Sequence, residues 1–258
     1  MSFMPISVFD EFASQYDAAR PSYPAPLFDE LQARTGPLAG QVVLDWGAGT
    51  GIASRQLAER GAIVVSLDIG QQMLRRALAR RPDSSCVLAD GNSMPIRSAT
   101  VGLTTFAQSW HWFDPELAAA EIARVLRPAG YWAAWWNRAR ADGEAWFDDY
   151  QDLVSSSCPG YMWQHRTDDQ MAPDWSSALV RASGQVEPTS ETVVPWVRRL
   201  TAEHWITGER SKSYFIELEP ALRESVLGQV AAILARRFPD GQLVVPYITT
   251  LLLARKAT

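Results

Sequence analysis

The chain has 258 residues, 47% hydrophobic and 21% charged, a composition that is typical of a globular protein and excludes disorder and fibrous repeats. Its 24 basic and 29 acidic residues give a net charge of −5, which argues against a broad basic face for nucleic acid. Cys86 and Cys158 show no metal-ligand spacing, the apolar runs are too short to span a membrane, and the first residues lack a signal-peptide pattern. We therefore expect a cytoplasmic protein without membrane segments or a metal site.

Short apolar runs alternate with amphipathic stretches between residues 41 and 136. The predicted strands cover residues 41–46, 62–67, 85–89, 101–107 and 131–136, and the predicted helices cover 52–60, 71–81 and 115–126. Asp114 before Pro115 is typical of a helix start, and Arg127–Gly130 is expected to separate that helix from the next strand. The alternation predicts an α/β fold with a doubly wound, mostly parallel sheet.

The pattern becomes less regular after residue 137. Strands are predicted over residues 189–197 and 243–253, and helices over 202–211 and 220–238, which brings the predicted sheet to seven strands. Pro246 favours an edge or bulge position for its part of the last strand. No change in composition marks a boundary, so we predict a single domain over residues 1–258.

A glycine-rich segment, Asp45–Gly51 (DWGAGTG), lies between the first predicted strand and the first predicted helix. Glycines there permit a tight turn and let a ligand approach backbone N–H groups at the helix N-terminus. Asp68 ends the second strand, where a carboxylate can accept hydrogen bonds from ribose hydroxyls. These features predict a site for a nucleoside-containing ligand at the carboxyl ends of the first two strands.

Three other interpretations of this segment remain open. NAD-dependent oxidoreductases share the predicted sheet and the ribose acid, but their third glycine falls at the position of Ile52. A glycine turn with a purely structural role is the second alternative. A cofactor-binding protein that catalyses no reaction is the third.

Asp45–Gly51 resembles motif I of the class I S-adenosylmethionine-dependent methyltransferases, and other segments extend the resemblance over residues 9–137. These segments are Asp90–Asn92 after the third strand, Ala107–Phe113 (AQSWHWF) after the fourth, Ile122–Gly130 (IARVLRPAG) before the fifth, and Phe12–Asp17 with Arg20–Pro24 near the start. The last two resemble the N-terminal lid of members that methylate small molecules, including those similar to trans-aconitate methyltransferase. The Ala107–Phe113 segment does not resemble the N-P-P-Y pattern of nucleic-acid amino-methyltransferases.

The resemblance implies that the chain is an enzyme with S-adenosylmethionine as its cofactor and a small-molecule acceptor, with carboxylates and aromatic metabolites as the open classes. Residues 1–30 would form the lid, and residues 138–186 and 198–240 would be helical insertions that cover the acceptor side. A monomer or a homodimer is expected. The positions implied to bind the cofactor are Tyr16, Arg20, Asp45, Gly47, Ala48, Gly49, Asp68, Ile69, Met73, Asp90, Gly91, Asn92, Gln108 and Ser109.

The expected acceptor pocket lies where the fourth and fifth strands end. The expected acceptor residues are Tyr23, Trp110, Trp112, Trp136, Arg210 and Tyr214, and the cations available to a carboxylate acceptor are Arg20, Arg198, Arg199, Arg210 and Lys212. His111 is the candidate general base, and the alternative is that it only shapes the pocket wall. Trp46, Trp132 and Trp135 are expected in the core.

Overall fold

The computed structural model describes residues 20–91, 93–161 and 186–258. The helices are α1 (Ala25–Thr35), α2 (Ile52–Glu59), α3 (Gln71–Arg80), α4 (Pro115–Val125), α5 (Ala145–Ser157), α6 (Ala202–Arg210), α7 (Ser213–Ile216) and α8 (Pro220–Arg237). The strands are β1 (Val42–Trp46), β2 (Ile63–Asp68), β3 (Ser85–Leu88), β4 (Val101–Ala107), β5 (Leu126–Ala139), β6 (Val186–Thr201) and β7 (Gln242–Lys256). In this part of the chain no helix is both long and apolar enough to cross a membrane.

These strands form one seven-stranded sheet in the order β3-β2-β1-β4-β5-β7-β6. Strands β1 to β5 pair in parallel, whereas β7 runs antiparallel to both β5 and β6. This arrangement confirms the predicted α/β fold with a mostly parallel sheet. The chain leaves β3 at one edge and returns to place β4 beside β1, and the carboxyl ends of β1 and β4 flank the crevice in which such sheets bind ligands.

The sheet core contains the predicted tryptophans. The side chains of Trp46, Trp132 and Trp135 are fully buried, so these three residues fill the core as expected. Helix α1 also packs into the core, because Leu27 and Phe28 are fully buried. The predicted lid over residues 1–30 therefore cannot extend through its last six residues, which form the start of this helix, while residues 1–19 lie outside the described residues.

Two strands are longer than the sequence predicts. Helix α4 ends at Val125, just before the predicted break at Arg127–Gly130, but β5 already begins at Leu126, and its register with β4 shifts between Leu126 and Tyr131. Strand β5 continues to Ala139 and β6 to Thr201, because β7 pairs with both strands over most of their length. Residues 138–139 and 198–201 are therefore extended where helical insertions were expected to begin.

Pro246 lies in β7, which is an interior strand. Strand β5 ends at Ala139, opposite Tyr247, so β7 pairs only with β6 at Pro246. The carbonyl of Pro246 accepts a hydrogen bond from the backbone of Arg140, just past the end of β5. The missing N–H of this proline falls where its strand has become locally an edge, as the sequence suggests.

Helices α5, α6 and α8 form a second apolar cluster that joins the sheet through β7. Its largest members are aromatic, and Trp146 and Tyr150 of α5 contact Trp205 of α6 edge-on, at centroid distances of 5.5 and 5.6 Å. Leu243 and Val245 of β7 belong to the same cluster. This contact fixes the late helices against the sheet and positions the connection between α6 and α7.

Candidate active site

The glycine-rich loop after β1 turns sharply around Gly47. The φ angle of this residue is +69°, in the region that favours glycine, and the backbone N–H groups of Gly47 and Ala48 both donate to the carbonyl of Leu67 on β2, at 2.9 and 3.0 Å. A Cβ atom at position 47 would lie 2.6 Å from the Cβ atom of Ser109. The loop after β1 therefore packs directly against the segment after β4, and only glycine fits between them.

Asp68 orients the same loop from the end of β2. One carboxylate oxygen accepts from the N–H of Gly49 at 2.8 Å, and the other accepts from the N–H of Gly70 at 2.7 Å. Each carboxylate oxygen has a second lone pair. A carboxylate in this position can accept from ligand hydroxyls as well as from the loop, and no atom of the described residues lies within 4 Å of a Cβ built at Gly49.

Asp45 and Ser109 were expected to bind the cofactor, but the structure places their side chains in the core. Asp45 is fully buried and accepts hydrogen bonds from the hydroxyls of Ser54 and Thr105, at 2.5 and 2.8 Å. Burial raises the pKa of Asp45 to about 6. The hydroxyl of Ser109 donates to the carbonyl of Trp46 at 2.6 Å. Both side chains therefore join β1 to its neighbours and do not face a ligand.

Gly91, which follows β3, packs its backbone against aromatic rings. A Cβ atom here would collide with the indole nitrogen of Trp46 and with the ring of Phe113. The requirement for glycine at this position therefore comes from aromatic packing below the site. Of the neighbouring candidates, Asp90 and Ile69 are exposed and Met73 is buried, whereas Tyr16 and Asn92 lie outside the described residues.

The segment after β4 begins with a strained residue. Gln108 has a φ angle of +57°, which is uncommon for residues other than glycine and is frequent at functional sites, and its N–H donates to the carbonyl of Trp135. The turn Trp110–Trp112 follows. Trp110 is only 7% exposed and packs edge-on against Phe106 and Trp132, so its expected place in the acceptor pocket is wrong.

His111 and Trp136 are joined by a hydrogen bond between Nε1 of the indole and Nδ1 of the imidazole, at 3.3 Å. An indole N–H can only donate, so Nδ1 of His111 accepts and the neutral ring carries its proton on Nε2. Burial, with a smaller contribution from the charge of Arg20, lowers the pKa of His111 to about 4. An imidazole with such a pKa is a weak base at neutral pH, so the expectation of a general base does not fit this geometry.

Three residues expected to contact the acceptor have other roles. Tyr23 is 7% exposed and packs edge-on against Trp135 at 5.7 Å. Tyr214 is 1% exposed, and its hydroxyl donates to the carboxylate of Glu209 at 3.2 Å. The guanidinium of Arg210 forms a two-pronged ion pair with Glu224 at the surface. Packing and pairing therefore remove all three from the expected pocket.

Other cations converge where these residues were expected. The ammonium of Lys212 pairs with Glu209 at 2.7 Å, and Glu209 also accepts from the hydroxyl of Tyr150. Arg20 donates to the carbonyl of Ser211, directly before Lys212, at 3.4 Å. The sequence suggested Arg20 and Lys212 as partners of an anion but did not single out Glu209. The available signal for Glu209 was its position near the end of the predicted helix 202–211, three residues before Lys212.

Comparisons with known proteins agree on one family. The model of a family described as a methyltransferase domain matches residues 44–134. An uncharacterised methyltransferase of Mycobacterium bovis is 32% identical over 244 residues, which are 93% of this chain and 92% of the relative. A demethylmenaquinone methyltransferase of Beutenbergia cavernae is 33% identical over 129 residues, 48% of this chain and 53% of the relative. A solved structure described as a type II methyltransferase from Anaeromyxobacter dehalogenans has a TM-score of 0.68 and 23% identity, covering 92% of this chain and 97% of its own.

Proposed function

The chain belongs to the class I S-adenosylmethionine-dependent methyltransferases, and we propose that it methylates a small molecule at the carboxyl ends of β4 and β5. The observation that carries this proposal is the position of two groups on either side of the crevice between β1 and β4. Asp68 and the backbone of Gly49 lie on one side, and the aromatic turn Trp110–Trp112 lies on the other. The similarity to a demethylmenaquinone methyltransferase supports a small-molecule acceptor, as does the net charge of −5, which disfavours nucleic acid.

The residues around the glycine loop fit the cofactor of this family. Asp68 lies at the end of β2, where its carboxylate can accept hydrogen bonds from ribose hydroxyls, and no atom of the described residues lies within 4 Å of a Cβ built at Gly49. S-adenosylmethionine supplies a methyl group on a positively charged sulfur, and the transfer breaks that carbon–sulfur bond as the acceptor atom forms a new one. The Trp112 and Trp136 rings lie on the acceptor side, where aromatic faces attract a cation.

His111 would act in this reaction as a hydrogen-bond donor through Nε2. With its pKa lowered to about 4 and Nδ1 bound to Trp136, it takes no proton from the acceptor at neutral pH. The chain then contributes mainly alignment, which supplies roughly 7–11 kcal/mol of the barrier in well-oriented reactions. We therefore expect an acceptor atom that needs no deprotonation by the enzyme.

Calorimetry and methyl-transfer assays test the proposal. We expect S-adenosylmethionine and S-adenosylhomocysteine to bind and NAD not to bind. Trp112→Ala should then reduce methyl transfer at subsaturating acceptor about tenfold while cofactor affinity stays within about twofold, because only acceptor contacts are lost. Binding of NAD in place of S-adenosylmethionine, or equal losses in both measurements for Trp112→Ala, would contradict the proposed site.

A further inference from the structure

Positively charged side chains from three distant parts of the chain meet at the acceptor side of the sheet. Arg20 precedes α1, Arg198 lies on β6, and Lys212 lies between α6 and α7. Arg20 reaches the carbonyl of Ser211, and Arg198 donates to the hydroxyl of Tyr247 on β7 at 3.4 Å. We define the three side chains Arg20, Arg198 and Lys212, together with Tyr247, as the cationic cluster.

The charges in this cluster act on each other and on His111. The charges of Arg20 and Arg198 both lower the pKa of Lys212, in the same direction as its burial, although the partner Glu209 raises it. The charge of Arg20 also lowers the pKa of His111. Within the cluster, Arg20 therefore lies close to both Lys212 and the imidazole of His111, so the cluster adjoins the place where the methyl group would be transferred.

Glu209 holds Lys212 in position from the protein side of the cluster. Its carboxylate is 3% exposed, and it accepts from the hydroxyls of Tyr150 and Tyr214 as well as from Lys212. A buried carboxylate that already accepts three hydrogen bonds is fixed on the protein side of the cluster.

A neutral hydrogen-bond donor, the amide of Asn137, lies on β5 next to the strand that carries Tyr247. Asn137 on β5 pairs with Thr249 on β7, two residues from Tyr247, so these three residues share one face of the sheet. The hydroxyl of Thr249 donates to Oδ1 of Asn137 at 2.6 Å, which fixes the amide. Among the described residues, Nδ2 of Asn137 is buried without a hydrogen-bond partner. A ligand oxygen would satisfy this donor.

We propose that the cationic cluster is a binding subsite for an oxyanion, a carboxylate or a phosphate, carried by the acceptor molecule. The inference deepens the proposed function and rests on it. Guanidinium groups and an ammonium bind such oxygens by charge-assisted hydrogen bonds. A subsite of this kind holds the acceptor by a group that stays charged, while His111 and the Trp112 ring face the remainder of the molecule.

The structure offers a matched pair of arginines for the test. Arg198 and Arg199 are adjacent on β6, so their side chains point to opposite faces, and Arg199 is exposed. Arg198→Gln removes a charge from the cationic cluster, whereas Arg199→Gln removes the same charge outside it. The two variants have the same net charge and differ in a single strand position.

Calorimetry on the full chain saturated with S-adenosylhomocysteine would use matched probes: benzoate and benzamide, cinnamate and cinnamamide, succinate and succinamide, and phenyl phosphate and phenol. We expect at least one anion to bind ten times more tightly than its neutral partner, and the stronger series to identify a carboxylate or a phosphate. Arg198→Gln should weaken that anion about tenfold, with the neutral partner and S-adenosylhomocysteine unchanged, and Arg199→Gln should change nothing.

Two outcomes would overturn the subsite. One is a panel in which no anion binds more tightly than its neutral partner. The other is an equal effect of Arg198→Gln and Arg199→Gln on the bound anion. If S-adenosylhomocysteine itself fails to bind the wild-type protein, the proposed function fails first, so the two failures are distinguished. Arg20→Gln provides a second variant if Arg198→Gln unfolds.

Discussion

The two ends of the candidate active site are built from different parts of the polypeptide. The cofactor end uses backbone: the loop at Gly47 turns against Leu67, and Asp68 binds two N–H groups in nearby loops. The acceptor end uses long side chains, such as Lys212 and Arg198, that arrive from separate helices and strands. A backbone site depends on local conformation, whereas a side-chain site can change with single substitutions.

The largest expected effect comes from adding a methyl group at Gly47, in the loop at the cofactor end of the site. Gly47→Ala places a Cβ atom 2.6 Å from the Cβ atom of Ser109 at a φ angle of +69°. We expect the free energy of unfolding to fall by about 2–5 kcal/mol, from overpacking and backbone strain together. Urea unfolding measures the change.

Gly49→Ala is the matched control for this experiment. Its φ angle is +56°, but no atom of the described residues lies within 4 Å of the added Cβ, so only strain of about 1 kcal/mol applies. Similar losses in both variants would mean that the contact between the loop and Ser109 does not determine the turn.

Asp45 gives the cofactor end a predictable dependence of stability on pH. Burial raises its pKa from 3.8 to about 6, so its favourable contribution is complete below pH 3.8 and is lost as the pH rises through about 6. Asp45→Asn removes this dependence. Relative to the variant, the wild-type protein should therefore lose up to about 3 kcal/mol of unfolding free energy between pH 4 and pH 7. Urea unfolding at both pH values checks this, with the exposed Asp83→Asn as the control.

Removal of the carboxylate at the end of β2 should affect ligand binding more than folding. Asp68→Ala loses the oxygens available to ribose hydroxyls, and the affinity for S-adenosylmethionine should fall by about 1–3 kcal/mol. Isothermal calorimetry measures the loss, and Asp83→Ala should bind as the parent does. An Asp68→Ala protein with parental affinity would place the ribose elsewhere.

The smallest expected effect concerns His111 and separates alignment from proton transfer. Since its pKa is lowered to about 4, the pH profile of kcat/KM should show no inflection near 6.5. His111→Gln, which retains a donor, should preserve the shape of that profile with a modest loss of rate. A wild-type inflection near 6.5 that disappears in His111→Gln would restore the role of general base.

The sequence predicts the elements whose signals are local. Strand β4 begins and ends as predicted and α3 differs by one residue, because apolar and amphipathic periodicity are properties of neighbouring residues. The position of Asp68 at the end of β2 follows in the same way. The extra length of β5 and β6 could not be predicted, because their polar ends are stabilised by pairing with β7, far along the chain.

The wrong predictions for the acceptor residues also result from contacts between distant parts of the chain. Tyr23 is buried because Trp135 packs on it, and Tyr214 is buried because it binds Glu209 beside Tyr150. Arg210 is neutralised by Glu224, which lies in the next long helix. Residue type indicated polar and aromatic side chains at this end of the sheet, but only tertiary contacts decide which of them are buried or paired.

The position of β7 also determines the order in which the sheet can assemble. This strand lies between β5 and β6, and the ammonium of Lys256 at its end donates to the carbonyls of Ala123 and Leu126, where α4 meets β5. Lys256 and Ala123 are 133 residues apart in the sequence. Contacts over such a separation form slowly, because the chain must lose conformational entropy before they form. During synthesis, β1 to β5 emerge and can pair before β7 exists, whereas β6 has no strand to join until β7 arrives. We therefore expect the parallel strands β1 to β5 to pair before β6 and β7 complete the sheet.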